Sequence, residues 1–441
     1  MKNFIIISAF FTLIYLHGQA QAEQQKPWSL EECIEYAVTN NITVKDAELT
    51  KGNNELNYAA SKSSRLPNLT GSASQNISFG TAINNITSDY ISQTTNSTSL
   101  GLSTSVTLYN GNQINNKIKQ NKLLVDQSSL YIKEAENSIT LSVTEAYIQV
   151  LYNKENILIA TTNLETSEKE LEMAKARLEA GTISMVDYTD AQSQTATNKY
   201  NLIAAKNNYQ QQLLVLKQLL ELPPEESFEI ETFKNYEELL MLPDKMEIYQ
   251  KALAVLPEIE ADKVGVDISK KDLEIAKGAF LPTLSLTGSI GSGYTDIQDM
   301  SFSDQLDFNF NQRVGLSLSI PIFNRNQTKT QVKSAKINIK KAELQLQSTQ
   351  KELYKKIETA WHNAVSSHEQ LSASISARDA SKESYTLAQK KYELNALSTT
   401  DLIISQNAYT NAEINYLQAK YLNILYVQLL QFYQGNPIKI D

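Results

Sequence analysis

NQINNKIKQNKLLVDQSSLYIKEAENSITLSVTEAYIQVLYNKENILIATTNLETSEKELEMAKARL, residues 112–178, contains no glycine and no proline, while Gly111 precedes it and Gly181 follows it. Unbroken helix over that span would run roughly 100 Å, at about 1.5 Å per residue. An ordinary globular helix has only about three turns. No single core of ordinary size buries such a rod, so it must pack lengthwise on helices of similar length. Its apolar residues supply the seam. Ile132, Ala135, Ile139, Val143, Ala146, Val150, Asn153, Ile157, Ala160, Leu164, Ser167, Leu171, Ala174 and Leu178 step by threes and fours, a heptad-like pattern with one extra step of four near Val143. Large residues alternate with Ala, Ser and Asn, so neighbours can approach closely. The remaining faces are mostly polar, which suits a wall wetted on both sides. A plain coiled-coil spacer reads the same way on this stretch alone.

The stretch occurs twice. Asn110-Gly111-Asn112-Gln113 is answered by Asn324-Arg325-Asn326-Gln327, Tyr147 by Trp361, Asp187 by Asp401, Gln192 by Gln406 and Pro223 by Pro437, always 214 residues later (324 − 110). One offset held over more than a hundred residues indicates duplication without insertion. The second rod is equally clean, with neither glycine nor proline from Ile322 to Gln434. Upstream, Ser29-x-x-Glu32 is a capping box opening a helix that should reach about Ser63. Asp244-x-x-Glu247 opens its counterpart, and Leu66-Pro67 and Leu281-Pro282 stop the two helices 215 apart (282 − 67).

Between each proline and the rod that follows, the period changes to two. Leu100, Leu102, Thr104, Val106 and Leu108 alternate with Gly101, Ser103, Ser105 and Thr107. Val314, Leu316, Leu318, Ile320 and Ile322 alternate with Gly315, Ser317, Ser319 and Pro321. Apolar-out, small-polar-in alternation of about nine residues is what a transmembrane β-strand needs, so Leu100, Leu102, Val106, Leu108, Val314, Leu316, Leu318 and Ile320 are expected to face lipid. Leu69 to Phe79 and Leu284 to Ile290 are the less regular partner strands. Long polar loops, about Gly80 to Thr98 and Gly291 to Gln312, join each pair. Tyr109 and Phe323 stand at matching strand ends, where interfacial aromatics are expected. A soluble hairpin is the competing reading, but a face of Ser, Thr and Gly would bury poorly in a core. Four strands cannot close, and open edges in lipid leave backbone groups unpaired. Strands must be pooled between copies: a dimer would give ~8 and a trimer ~12, both within the range of outer-membrane barrels.

At the other break of each repeat, Leu178-Glu-Ala-Gly181-Thr-Ile-Ser-Met-Val-Asp187 is answered by Tyr392-Glu-Leu-Asn395-Ala-Leu-Ser-Thr-Thr-Asp401. Gly181 or Asn395 can take the left-handed conformation that ends a helix, and a following Ser or Thr can cap the next. Each rod therefore turns back at a tight tip.

The 441 residues carry 40 basic and 49 acidic side chains, a net charge of −9, which argues against nucleic acid as a partner because phosphate binding needs a basic face. Met1-Lys2-Asn3, the apolar run Phe4 to Leu16 and Ala20-Gln21-Ala22 read as a secretory signal cleaved after Ala22. The run is too short for a membrane anchor. Cys33 is the only cysteine, so no intrachain disulfide, Cys/His metal set or Cys–His nucleophile pair can form. His362 and His368 are six apart and do not share a helical face. No phosphate loop is present. Neither a cofactor nor an enzymatic site is expected.

The ordered set resembles the outer-membrane efflux protein family, the TolC-like channel-tunnels, over nearly the whole mature chain. It rests on the duplicated helix–strand–strand–helix order, the two Leu-Pro stops and the two tips of form aromatic/Leu-x-x-Gly/Asn-x-x-Ser-x-x-Asp. The implied fold is mainly α with β: long antiparallel helical hairpins forming a periplasmic α-barrel, plus four transmembrane strands per chain in a shared trimeric β-barrel. The expected organisation is a signal peptide (1–22), a first repeat (23–222, hairpin about 68–109, tip about 179–187), a linker (223–243), a second repeat (244–435, hairpin about 283–323, tip about 393–401) and a tail (436–441). The resemblance implies a homotrimer in outer-membrane lipid, a passive duct for efflux or type I secretion, joined to an inner-membrane pump through a periplasmic adaptor (membrane fusion protein).

It also implies that the tips meet the adaptor, at Gly181, Thr182, Asn395, Ala396 and Leu397. Family channels narrow at acidic rings near the entrance. Asp401 matches one ring position, with Ile404 rather than an acid three residues later, and Asp187 and Asp190 occupy the places in the first repeat. Leu397 lies where the family's best-known member has a locking arginine. Asp187 and Asp190 have two readings of their own: a ring of like charge attracting cations, or helix-start acids favoured by the dipole. A periplasmic coiled-coil adaptor or scaffold is the alternative for the whole chain; it accounts for the rods but not for two strand pairs. A secreted enzyme has no site that can be named.

Overall fold

The computed structural model describes residues 27–83, 88–232 and 242–439. The expected signal segment, residues 1–22, lies outside the described residues, as do 84–87, 233–241 of the linker and 440–441 of the tail. In chain order the described elements are α1 (Leu30–Asn40), α2 (Ile42–Ser63), β1 (Asn68–Ile83), β2 (Tyr90–Asn110), α3 (Gln113–Glu179), α4 (Met185–Leu219), α5 (Lys245–Val255), α6 (Pro257–Gly278), β3 (Thr283–Thr295), α7 (Phe302–Phe308), β4 (Asn311–Ser319), α8 (Gln327–Glu393) and α9 (Thr399–Tyr433). The rods α3 and α8 have 67 residues each and begin 214 apart (327 − 113). The return helices α4 and α9 have 35 each at the same offset (399 − 185). Among the described residues no helix is long and apolar enough to cross a membrane.

The chain forms two compact units. The helical unit takes the described residues of Met1–Asp46, Ile132–Leu256 and Gln350–Asp441. The sheet unit takes those of Ala47–Tyr131 and Pro257–Thr349.

In the helical unit every residue of the α3 seam from Ile132 to Leu178 is buried or half-buried. The narrow-seam expectation holds toward the tip and fails in the middle. Around Tyr147 burial widens to Thr144, Ile148 and Leu151, which join Cys33, Leu216, Leu220, Ile230 and Ile424 in or beside one apolar core. The Tyr147 hydroxyl donates toward the carbonyls of Trp28 (2.9 Å) and Glu231 (2.8 Å), where Trp28 and Ile230 form a parallel bridge. Its counterpart Trp361 donates from Nε1 to the Pro243 carbonyl at 3.0 Å. Both members of the matched aromatic pair therefore tie a rod to the linker backbone. Burial pushes the Cys33 thiol up to about 12, with Glu32 adding to the effect, so it behaves as a small packed apolar group.

One helix was expected from Ser29 to about Ser63; two are present. The capping box forms as read, but Asn41 is extended (ψ 136°) and ends α1. Its Oδ1 accepts the Thr43 N–H at 2.9 Å, starting α2, and its Nδ2 donates to the Leu219 carbonyl at 3.0 Å. The same break separates α5 from α6, where Leu256 precedes Pro257. A residue before proline is pushed out of the helical region, and proline itself suits the first helical turn.

In the sheet unit the strand-to-rod turn needs two glycines. Gly111 has φ +65°, and a Cβ there would lie 2.3 Å from the Gly278 carbonyl oxygen; a Cβ on Gly278 would lie 2.5 Å from that of Gly111. The two backbones touch, which fixes how α6 ends beside the start of α3. Polar contacts complete this packing: Asn54 Nδ2 donates to Ser128 Oγ (2.6 Å) and Gln127 Nε2 to the Ala261 carbonyl (2.9 Å).

Candidate functional site

Two places carry the functional reading, the sheet and the paired tips. The sheet is antiparallel in the order β1-β2-β3-β4, so the two hairpins join each other through β2 and β3, and among the described residues β1 and β4 are its free edges. Register sorts the side chains. Leu102 pairs with Gly71 and Ile290, Val106 with Leu286, Leu286 with Leu316, and Leu284 with Leu318. Since paired residues share a face, Leu69, Leu100, Leu102, Val106, Leu284, Leu286, Val314, Leu316 and Leu318 form one apolar face across all four strands. Thr70, Ser72, Ser103, Ser105, Thr287, Ser289, Gly315 and Ser317 form the other. Neither face has a core of its own: Leu69 is 75% exposed, Val314 84% and Leu316 65%.

Four details depart from the sequence reading. Expected lipid-facing Ile320 lies past the end of β4 at Ser319, because Pro321 has no N–H to extend the ladder; Phe323 is likewise beyond the strand. A bulge between Thr107 and Tyr109 makes Tyr109, not Leu108, the partner of Leu284. That slip carries the aromatic onto the apolar face at the strand end. The first hairpin loop is much shorter than Gly80 to Thr98, since pairing continues to Ile83 and Tyr90. The second contains α7, held by buried Gln305, whose Nε2 donates to the Thr295 (2.9 Å) and Met300 (3.0 Å) carbonyls while its Oε1 accepts the Thr295 N–H (2.8 Å).

At the tips, Gly181 (φ +73°) and Asn395 (φ +57°) are left-handed as their sequence suggests. The Thr182 N–H returns to the Arg177 carbonyl at 2.9 Å and the Ala396 N–H to that of Lys391 at 2.8 Å, closing both rods in the same way. Ser184 and Ser398 cap the return helices. Asp187 Oδ2 accepts the Ser184 N–H (3.1 Å) and hydroxyl (2.6 Å), and Asp401 Oδ2 accepts the Ser398 hydroxyl (2.7 Å). Hydrogen bonds, first from the Ser184 hydroxyl and also from Thr399, hold the Asp187 carboxyl below its ordinary range. Asp190 Oδ2 accepts the Thr400 hydroxyl at 3.0 Å. Two of the three expected lumen acids are thus cap residues, and the third joins one tip to the other. Gly181, Thr182, Asn395 and Ala396 are exposed, whereas Leu397 is half-buried against Tyr385, Tyr392 and Leu402.

The sequence reading missed the residue that spans the tips. Arg177 donates from its guanidinium to the Glu393 carbonyl at 3.1 Å and lies 4.4 Å from the centre of the Tyr392 ring. A signal was available: only five arginines occur among 40 basic residues, and arginine rather than lysine suits a planar hydrogen-bonded, ring-stacked position. Deeper between the same hairpins, Tyr385 donates to buried Glu170 at 2.9 Å. Burial pushes the Glu170 carboxyl above its ordinary range.

The profile of the family described as Outer membrane efflux protein matches residues 33–221 and 248–433, both hairpins and all four long helices. The chain is 22% identical to the outer membrane efflux protein BepC of Brucella suis biovar 1 over 421 residues, 95% of this chain and 87% of that protein. It is 25% identical to the outer membrane protein TolC of Escherichia coli over 314 residues, 67% of this chain and 60% of that protein. The fold superimposes on the Campylobacter jejuni CmeC outer membrane channel with a TM-score of 0.78 at 19% identity, covering 93% of this chain and 87% of that one. An apolar-faced open sheet and twin capped tips, in a chain whose family match takes in both hairpins and all four long helices, place this protein in the outer membrane efflux protein family, as an outer-membrane channel of an efflux or secretion system.

Proposed function

We propose that three copies of this chain pool their sheets into one closed barrel across the outer membrane, and that the barrel and the helical hairpins make a passive duct. A periplasmic adaptor docks on the tips and brings cargo from an inner-membrane pump. The single observation that carries this reading is a sheet with two free edges and two uncovered faces, one apolar and one of Ser, Thr and Gly. In lipid an unpaired strand edge costs several kcal/mol per backbone group, so β1 of one copy must pair with β4 of the next. A soluble adaptor or scaffold would have no use for the apolar face.

At the entrance, Asp187, Asp190 and Asp401 from each copy make an acidic zone that favours cations, and the Arg177–Tyr392 contact holds the two tips of one chain together. Gly181, Thr182, Asn395 and Ala396 offer the adaptor exposed backbone and small side chains, with Leu397 as a half-buried apolar foothold. Purification tests the reading. The protein should leave the outer-membrane fraction only with detergent and should give discrete conductance steps in a planar bilayer. Extraction as a monomer by salt alone would refute it.

A further inference from the structure

Among all residues of the four strands, Arg313 on β4 is the only one with a charged side chain. It pairs with Ser289, which pairs with Ser103, so it belongs to the Ser/Thr/Gly face and stands opposite in orientation to Val314 and Leu316. It is exposed, and among the described residues no ion pair involves it. Because no strand carries an acid, a neighbouring copy laid against the β4 edge brings no strand carboxylate to neutralise it. This conclusion does not depend on the number of copies. Asp296, Asp299, Asp304 and Asp307, in the segment joining β3 to β4, are the nearest acids along the chain; Asp296 already accepts the Asn96 N–H at 2.9 Å and Asp304 the Ser301 hydroxyl at 2.6 Å.

We infer that Arg313 sets the charge preference of the barrel segment of the duct, favouring anions and cargo bearing carboxylate or phosphate groups on an otherwise neutral wall. This rests on the reading of the sheet as a shared barrel. Lysine would supply a similar point charge, but arginine adds a planar fork that fits carboxylate and phosphate oxygens. One unit charge about 8 Å from a passing ion in water changes its occupancy roughly two-fold, and three copies act at one level of the pore.

The test is the reversal potential of single channels in a potassium chloride gradient, for the wild type, Arg313→Gln, Arg313→Lys and Arg313→Glu. Since each charge favours one ion and disfavours the other, the potassium-to-chloride permeability ratio should rise about four-fold or more in Arg313→Gln, rise further in Arg313→Glu and stay near wild type in Arg313→Lys. Full-sized conductance steps with one unchanged ratio in Gln and Glu variants would overturn the assignment while leaving the barrel intact. A wild-type protein that assembles in membranes but gives no steps would instead overturn the barrel reading, and this inference with it.

Discussion

The sheet and the tips treat their polar groups in opposite ways. At the tips each helix end is closed inside the chain: Gly181 and Asn395 turn the backbone, Ser184 and Ser398 cap it, and Asp190 and Arg177 reach from one hairpin to the other. In the sheet, no described strand pairs with the outer edges of β1 and β4, and among the described residues both faces stay open. A region complete within one chain can move as a unit, whereas a region incomplete within one chain specifies its own assembly. That division suits a wall assembled from several copies and hairpin ends that each chain closes by itself.

The largest effect expected from this contrast comes from charging the two faces of one strand. Leu316→Arg, on the apolar face, should cost about 2–4 kcal/mol per chain at the bilayer midplane and remove folded oligomer from the outer membrane. Ser317→Arg, one residue on, should leave assembly near wild type. Equal loss from both, read on unheated gels of membrane fractions, would break the assignment of faces. Next is Tyr147→Phe, which takes the hydroxyl donor from the Glu231 carbonyl and leaves the Trp28 carbonyl with the Glu231 N–H alone; about 1–3 kcal/mol should be lost, seen as a lower melting temperature in detergent.

Arg177→Ala should loosen the tips by about 1 kcal/mol without altering oligomer yield, and should lengthen open times in bilayer recordings. Arg177→Lys should fall between the two, since it keeps the charge and loses the fork. The smallest effect concerns pH. The Asp187 carboxyl is held below its ordinary value of 3.8. Its contribution to the tip is therefore present above that pH and is lost as the pH falls through the lower folded value. Asp187→Asn should remove this acid dependence of tip protection, measured by hydrogen exchange at Ser184 and Asp187, and leave the sheet unaffected.

Much of this contrast was legible in residues alone. The alternations at Leu100–Leu108 and Val314–Leu318, the matched Leu-Pro stops and Gly181 with Asn395 each encode local geometry, and local geometry is what periodicity reports. Less legible were features set by neighbours. The outer half of the first hairpin is rich in Ser, Thr and Asn and reads as loop, yet it pairs to Ile83 and Tyr90 because partner strands, not apolar residues, hold it. The Tyr109 bulge exists only relative to β3. The kink at Asn41 has no proline to announce it, although Pro257 marks the matching kink between α5 and α6. Arg177 acts on Tyr392 and Glu393 more than two hundred residues away, a contact no spacing rule reaches.

The central claim is that β1 of one copy completes the sheet of another at β4. Cysteines placed singly along β1 and β4, paired in one chain lacking Cys33, test it by oxidation in intact cells. The account predicts that denaturing gels show covalent ladders ending at three chains. A chain that stays at monomer size for every pair, or that cross-links only to itself, would contradict it.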